Sequence, residues 1–409
     1  MNFEAFNFHP SVMAGITAAG FEIPTPIQVR AIPQVSNGRD IMGLAQTGTG
    51  KTAAFVLPIL NRLIGGTYGS VRALIIAPTR ELADQIREAT VTLSRKTRLR
   101  SVAVYGGMGI NPQIQKLKHA DIVVACPGRL IDHIGRSSID LSQLDVLVID
   151  EADQMLDMGF IPDIRRILKH LPAKHQTLMF SATMPAEIRR LAGDILRNPA
   201  VVQVGATAPA DTVSHALYPV AQHLKTALLL KLLGNAPTKS VLIFTRTKHR
   251  AKSLGKKLVD AGYRSASLQG NLSQSGRQAT LKGFREGKFK ILVATDIAAR
   301  GIDVAKISHV INYDIPATPE AYIHRIGRTG RATCSGEAFT FVTGDDTAMV
   351  RALNQIIGSE IEQRTLSNFN YDSPAPHRAG SSQWIRKPQP KNGVQNKRKR
   401  TSLRAKFFI

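Results

Sequence analysis

The run Leu144-Asp-Val-Leu-Val-Ile-Asp is β-branched and apolar with almost no polar alternation, and a strand of that kind must be covered on both faces. Val71-Arg-Ala-Leu-Ile-Ile-Ala, Asp121-Ile-Val-Val-Ala and Gln176-Thr-Leu-Met-Phe share the character. Helix-forming stretches separate them, among them Glu81-Leu-Ala-Asp-Gln-Ile-Arg-Glu-Ala and Ile164-Arg-Arg-Ile-Leu-Lys-His-Leu. Strand and helix in alternation predict a parallel sheet wrapped by helices. The pattern pauses at Gly205-Ala-Thr-Ala-Pro-Ala-Asp-Thr, a small polar stretch suited to a linker. It restarts with Ser240-Val-Leu-Ile-Phe-Thr, Lys290-Ile-Leu-Val-Ala-Thr-Asp, His309-Val-Ile-Asn-Tyr and Glu337-Ala-Phe-Thr-Phe-Val. The expectation is two α/β domains, residues 1–205 and 214–364, joined by a linker at 206–213. From about Thr365 the pattern gives way to Pro, Ser, Gln, Asn, Lys and Arg, which predicts a disordered basic tail over 365–409.

Charge narrows the partners. The 409 residues carry a formal net charge of +24, and residues 365–409 hold ten Lys+Arg against one acid, Asp372. Both body and tail are basic, which points to a polyanion. The two cysteines, Cys126 and Cys334, have no metal-type spacing and read as inert packing thiols in a reducing cytoplasm. No apolar run reaches the roughly 18–20 residues of a membrane span, and the start lacks the pattern of a secretory signal.

Ala45-Gln-Thr-Gly-Thr-Gly-Lys-Thr52 has the character of a phosphate-cradling loop. Gly48 and Gly50 would let backbone N–H groups approach an anion, with Gln46, Thr47 and Thr49 completing the turn. Lys51 would reach the outer phosphates and the Thr52 hydroxyl would ligate Mg²⁺. The helix-forming residues that follow would add their dipole. Ala45 stands where the general pattern has Gly. A second element is Asp150-Glu151-Ala152-Asp153 at the end of a buried strand, the edge of a parallel sheet where ligands gather. Asp150 would hold Mg²⁺, and Glu151 would polarise the attacking water.

Asp-Glu-Ala-Asp after Ala-Gln-Thr-Gly-Thr-Gly-Lys-Thr resembles the DEAD-box family of ATP-dependent RNA helicases, and the resemblance runs from Phe3 to about Gly344. It implies two tandem RecA-like domains, ATP with Mg²⁺, and RNA-stimulated hydrolysis that unwinds short duplexes or remodels RNA–protein assemblies. Ala at position 45 is usual in that family. Gly20-Phe-Glu-Ile-Pro-Thr-Pro-Ile-Gln28 resembles its Q motif. A Gln28 amide can pair donor and acceptor with adenine, Phe21 would pack on the base, and Phe3 would brace the segment. Ser181-Ala-Thr183 resembles motif III, whose hydroxyls would bond Asp153 and couple nucleotide state to closure. In His324-Arg-Ile-Gly-Arg-Thr-Gly-Arg331 the resemblance makes Arg328 and Arg331 the arginine fingers, a role suited to the rigid guanidinium fork. Asp303, in a stretch resembling motif V, would bind the ATP ribose.

The resemblance also implies an RNA track: Pro78, Arg80, Gly107, Gly128 and Arg129 in the first domain, Arg246, Gly270, Gln274, Arg277 and Thr295 in the second. Each first-domain segment joins a backbone turn to a donor, which grips phosphate rather than reading bases, and the second-domain residues carry the reading as an ordered set. Cys126 replaces the family's usual Thr and removes one hydroxyl. In the tail, Lys397-Arg-Lys-Arg400 and Arg404 would add salt-dependent affinity, with Trp384, Phe407 and Phe408 stacking on bases. The opening Met-Asn-Phe-Glu and compact core resemble the bacterial RhlE-like subgroup. The chain is expected to act as a monomer, with ribosomal or other RNA–protein assemblies as targets. The other readings are a RecA-like DNA translocase and a non-catalytic basic RNA chaperone.

Overall fold

A computed structural model describes residues 2–46, 48–204, 213–235, 240–299, 307–330 and 336–374. The first sheet comprises β1 (Ile41–Leu44), β2 (Ala73–Ile76), β3 (Ser101–Val104), β4 (Ile122–Ala125), β5 (Val146–Ile149), β6 (Gln176–Ser181) and β7 (Ala200–Gln203). The second comprises β8 (Val213–Pro219), β9 (Val241–Phe244), β10 (Ser265–Leu268), β11 (Ile291–Ala294), β12 (His309–Asn312) and β13 (Gly336–Val342). Their orders are β3-β4-β2-β5-β6-β1-β7 and β10-β11-β9-β12-β13-β8, and neighbours run parallel throughout.

Helices cover both faces of each sheet. On the first are α1 (Pro10–Ala18), α2 (Pro26–Ser36), α3 (Lys51–Leu63), α4 (Arg80–Leu93), α5 (Ile110–Leu117), α6 (Pro127–Gly135), α7 (Ala152–Asp157), α8 (Ile161–Leu168) and α9 (Ala186–Ile195). On the second are α10 (Lys225–Asn235), α11 (Lys248–Asp260), α12 (Gln274–Arg285), α13 (Asp296–Ala299), α14 (Pro319–Ile326) and α15 (Thr347–Ile357). Alternation along β5 shows why its run is unbroken: Val146 and Val148 join the core under α1–α4, while Leu147 and Ile149 join the one under α6–α9. Each side chain removed from water contributes roughly 1.5–3 kcal/mol, so neither face tolerates a polar residue.

The strands read from the sequence are present. β1, with Gly43 inside it, and the less apolar β3, β7 and β10 lack that signature; they are held by pairing with their neighbours. The C-terminal boundary differs from expectation. Glu362 and Arg364 bond Leu217 along the outer edge of β8, at 2.8 Å each. Leu366, Phe369 and Tyr371 then pack on the core beside α10 and α11. Folding contacts therefore continue through Tyr371, because three apolar side chains spaced among polar ones suffice to dock a strand-edge extension that composition alone reads as tail. Val213, expected as the last linker residue, is the first of β8; the rest of that linker and residues 375–409 lie outside the described residues. Among the described residues no helix is long and apolar enough to cross a membrane.

Candidate functional site

The loop between β1 and α3 is tied to the neighbouring strand by the Ala45 N–H on Ser181 carbonyl, 3.0 Å. Gly48 and Gly50 adopt φ of 89° and 92°. At Gly50 a Cβ would also lie 2.7 Å from Gln28 Nε2 and 2.8 Å from Thr25 Oγ1, so glycine is required twice over. Thr49 Oγ1 donates to the Gln46 carbonyl at 2.8 Å, closing the turn. Lys51 opens α3 with 5% exposure, its Nζ 3.8 Å from Asp150 Oδ1. That is an ionic contact without a hydrogen bond, and among the described residues Lys51 Nζ makes none. Burial pushes the Asp150 carboxyl up, and Lys51 opposes the rise.

Glu151 follows at φ 55°, ψ 51°, a left-handed conformation that costs a residue with a Cβ roughly 1–2 kcal/mol. Such strain concentrates at functional sites. Two residues on, Asp153 binds the end of β6: Oδ2 accepts from the Ala182 N–H (3.1 Å), the Thr183 N–H (2.8 Å) and the Thr183 hydroxyl (3.0 Å). Ser181 also bonds Asp153, through the backbone. Its hydroxyl accepts the Asp153 N–H at 3.2 Å and donates to the Thr183 carbonyl at 2.7 Å, so it braces the turn rather than the carboxylate.

The second sheet meets this cluster through α14. His324 Nε2 lies 3.5 Å from Asp153 Oδ2. Burial alone would raise the Asp153 carboxyl, but His324, Lys51 and the Thr183 N–H together hold it well below the usual carboxylate range. Arg328, 4% exposed, lines one cavity with Gln46, Thr183 and His324, which brings it to the phosphate loop. Arg325 is committed to structure: its guanidinium takes the Asp296 carboxylate at 2.5 and 2.7 Å, plus Asn312 Oδ1 and the Asp314 carbonyl. Gln28 is also engaged, donating to the Gly50 carbonyl at 3.1 Å and accepting the Thr25 N–H at 3.0 Å. One donor hydrogen and one lone pair of the amide stay available to a base. Phe21 is 40% exposed and stacks on Phe3 with centroids 6.2 Å apart.

Two arginines of the expected RNA track also join the sheets. Arg277 pairs with Glu81 at 2.7 Å, and Arg80 donates to Gln274 Oε1 at 3.0 Å. Gln278 adds a bond to Asp84 at 3.3 Å. Arg129 donates to the Met108 carbonyl at 3.1 Å and so braces the turn that carries Gly107. Pro78, Gly107, Gly128, Arg246, Gly270 and Thr295 all occupy loops or helix starts following the C-terminal ends of strands.

Comparison with known proteins is decisive. The sequence matches the DEAD/DEAH box helicase family over residues 25–191 and the helicase conserved C-terminal domain over residues 224–333. It is 43% identical over 357 residues to the DEAD-box ATP-dependent RNA helicase CshA of Bacillus subtilis, covering 87% of this chain and 72% of the relative. It is 42% identical over 371 residues to RhpA of Helicobacter pylori, covering 90% and 75%. The chain belongs to the DEAD-box family of ATP-dependent RNA helicases. Among solved structures, Saccharomyces cerevisiae Dbp5 bound to RNA and ADP BeF3 superposes with a TM-score of 0.82 at 33% identity, covering 89% of this chain and 95% of that one. Mss116p bound to ssRNA and AMP-PNP gives 0.80 at 27%, covering 89% and 79%. The architecture is the tandem pair of RecA-like domains.

Three site residues expected of a DEAD-box chain, Thr47, Asp303 and Arg331, lie outside the described residues. Conversely, Glu81, Asp84, Gln278 and His324 make contacts between the sheets that were not assigned from sequence. His324 stood inside the quoted arginine-rich run, and Glu81 beside Arg80. A partner hundreds of residues away leaves no trace in local spacing.

Proposed function

We propose that this helicase hydrolyses ATP between its two domains, with Lys51 on the outer phosphates, Glu151 orienting water, and Arg328 and Arg331 neutralising charge from the second domain. The observation that carries the reading is the shared cavity of Gln46 and Arg328, one from each sheet. Asp153 supports it by holding Thr183 and His324 at once, so the acidic strand end senses both β6 and α14. Gln28 and Phe21 supply the base contact, and Asp303 the ribose contact.

The metal expected is Mg²⁺, and the donor set fits it. Thr52, next to Lys51 at the start of α3, and Asp150, 3.8 Å from Lys51 Nζ, would supply hard oxygen ligands. Mg²⁺ keeps water and substrate phosphate as most of its ligands, so one carboxylate and one hydroxyl are enough. When bound, it neutralises charge on the phosphate oxygens. The protein's own part is to bury Asp150, keep Glu151 in its strained turn, and admit arginine only on closure.

Closure joins RNA to hydrolysis. The turns of Pro78, Gly107, Gly128, Gly270 and Thr295, with Arg129 and Arg246, face phosphates, giving little sequence preference. Arg80 and Arg277 also clasp the domains, so they link strand binding to closure. A closed pair of domains holds one bent strand and excludes its complement; hydrolysis reopens them. Action as a monomer in a reducing cytoplasm, on ribosomal or other RNA–protein assemblies, belongs to the same reading.

The test is phosphate release with RNA and with matched DNA oligomers. RNA should stimulate and DNA should not. Glu151→Gln should lower the stimulated rate by about 10²-fold or more while leaving nucleotide-analogue binding intact. Arg328→Ala should cost about 10³-fold. Equal stimulation by DNA would favour a DNA translocase, and strand remodelling by Lys51→Ala at the normal rate would favour a passive chaperone.

A further inference from the structure

Helix α11 carries Lys248, His249, Arg250, Lys252, Lys256 and Lys257 against one acid, Asp260, and all six basic residues are exposed. Apart from the Arg246 turn before it, none belongs to the motifs above. His249, Ser253 and Lys257 recur at four-residue spacing and share a face. With Arg250, Thr226 and Tyr313 they line a cavity of about 400 Å³ at the C-terminal edge of the second sheet.

Beneath that cavity lies a cluster of ion pairs. Asp314, 3% exposed, accepts the Arg246 N–H at 2.9 Å and the Arg250 guanidinium at 2.5 Å. Lys225, also 3% exposed, has its Nζ 3.9 Å from the same carboxylate. Asp346 acts on Lys225 as well, and it keeps its charge while accepting the Thr343 N–H and hydroxyl at 2.8 and 2.7 Å. Asp314 and Asp346 thus offset Lys225 and Arg250, and the excess positive charge comes from the exposed lysines of α11, with Lys257 and the His249 imidazole on the rim. Hydroxyls complete the set: Thr226 and Tyr313 bond each other at 2.9 Å, beside Ser253. Ammonium, guanidinium and hydroxyl donors around an open cavity with excess positive charge suit a phosphodiester.

The cavity is joined to the RNA track. Lys248 Nζ donates to Asn271 Oδ1 at 3.2 Å, next to Gly270, and Arg246 enters α11 directly. We propose that this face of α11 binds the backbone of the RNA segment lying beyond the track, as an extension of it. The proposal rests on reading Arg246 and Gly270 as track residues.

The experiment compares a short oligouridylate that fills only the track with a longer one, by fluorescence anisotropy in the presence of a non-hydrolysable ATP analogue, across a salt series. The variants are Lys257→Gln and His249→Ala/Lys257→Gln, with Lys174→Gln, at the opposite edge of the first sheet, as the charge-matched control. The double variant should bind the longer RNA about threefold to tenfold more weakly and lower its salt slope by about 1. Short-RNA affinity and hydrolysis stimulated by short RNA should stay at wild-type values. Unchanged binding of the longer RNA, equal weakening of both RNAs, or an equal effect of Lys174→Gln would overturn the proposal. Failure of the wild-type protein to bind the short RNA would instead overturn the track, and the extension with it.

Discussion

Glu151 shows how much one residue can hold. Its left-handed backbone turns the chain out of β5 and into α7, aiming a carboxylate that is 2% exposed. A glycine there would relieve both the conformational cost and the buried acid. Glu151→Gly should therefore raise stability by about 1 kcal/mol in urea denaturation while abolishing turnover. A loss of stability would mean that the conformation is unstrained. Cys126 makes a second residue-scale point. Burial pushes its thiol up to about 12, with Glu81 and Asp84 adding to the effect and Arg80 opposing it. Because the folded value lies above the unfolded one, the protein favours the neutral thiol; that contribution is full below the unfolded thiol's range near 8.5 and is lost progressively as pH rises from there to about 12. At pH 8, iodoacetamide should leave Cys126 unmodified in the native protein and modify it rapidly in urea, as read by peptide mass. Native labelling at the unfolded rate would contradict the burial. The thiol at position 126 is thus expected to be inert, not reactive.

At the scale of elements, α4 and α12 form the clasp between domains. Glu81 and Arg277 are 7% and 12% exposed in their side chains, so the pair is desolvated only when the domains meet. Breaking it should cost closure and little else. Arg277→Ala is expected to lower RNA-stimulated kcat/KM about tenfold, equivalent to about 1.4 kcal/mol, with analogue binding at Lys51 unchanged. Kinetics unaffected by the substitution would show that Arg277 acts elsewhere. That these arginines also bridge the sheets was not legible, because spacing reports residue type and turn, not the direction a long side chain takes. The hydroxyl contact to Asp153 was legible for the same reason reversed: the acid and the turn that donates to it both follow strands that neighbour each other in this sheet.

For the whole molecule, the boundary of the packed chain governs how the basic tail is to be tested. A cut at 365 would strip Leu366, Phe369 and Tyr371 from the second domain's core and confuse instability with lost affinity. A cut after Pro374 removes all ten Lys+Arg of the tail and none of those contacts. That truncation should weaken RNA binding and flatten its salt slope by several units, while hydrolysis without RNA stays unchanged. An unaltered slope would reject the tail as an RNA contact. The tail's aromatic residues, Trp384, Phe407 and Phe408, belong to the same proposal and lie outside the described residues.

Local pattern alone determined the two parallel sheets, the glycine-rich loop before α3 and the acidic strand end. Buried β-branched strands, glycine-rich turns and adjacent carboxylates each carry their physics within a few residues. Only the tertiary structure decided which arginines reach across and which stay home. Arg325 is spent inside its own domain, Arg328 faces the phosphate loop, Arg277 seeks Glu81, and His324 meets Asp153. Those choices depend on how two separately folded sheets present their C-terminal edges to each other, and the energy of such a meeting is written in no single segment of the chain.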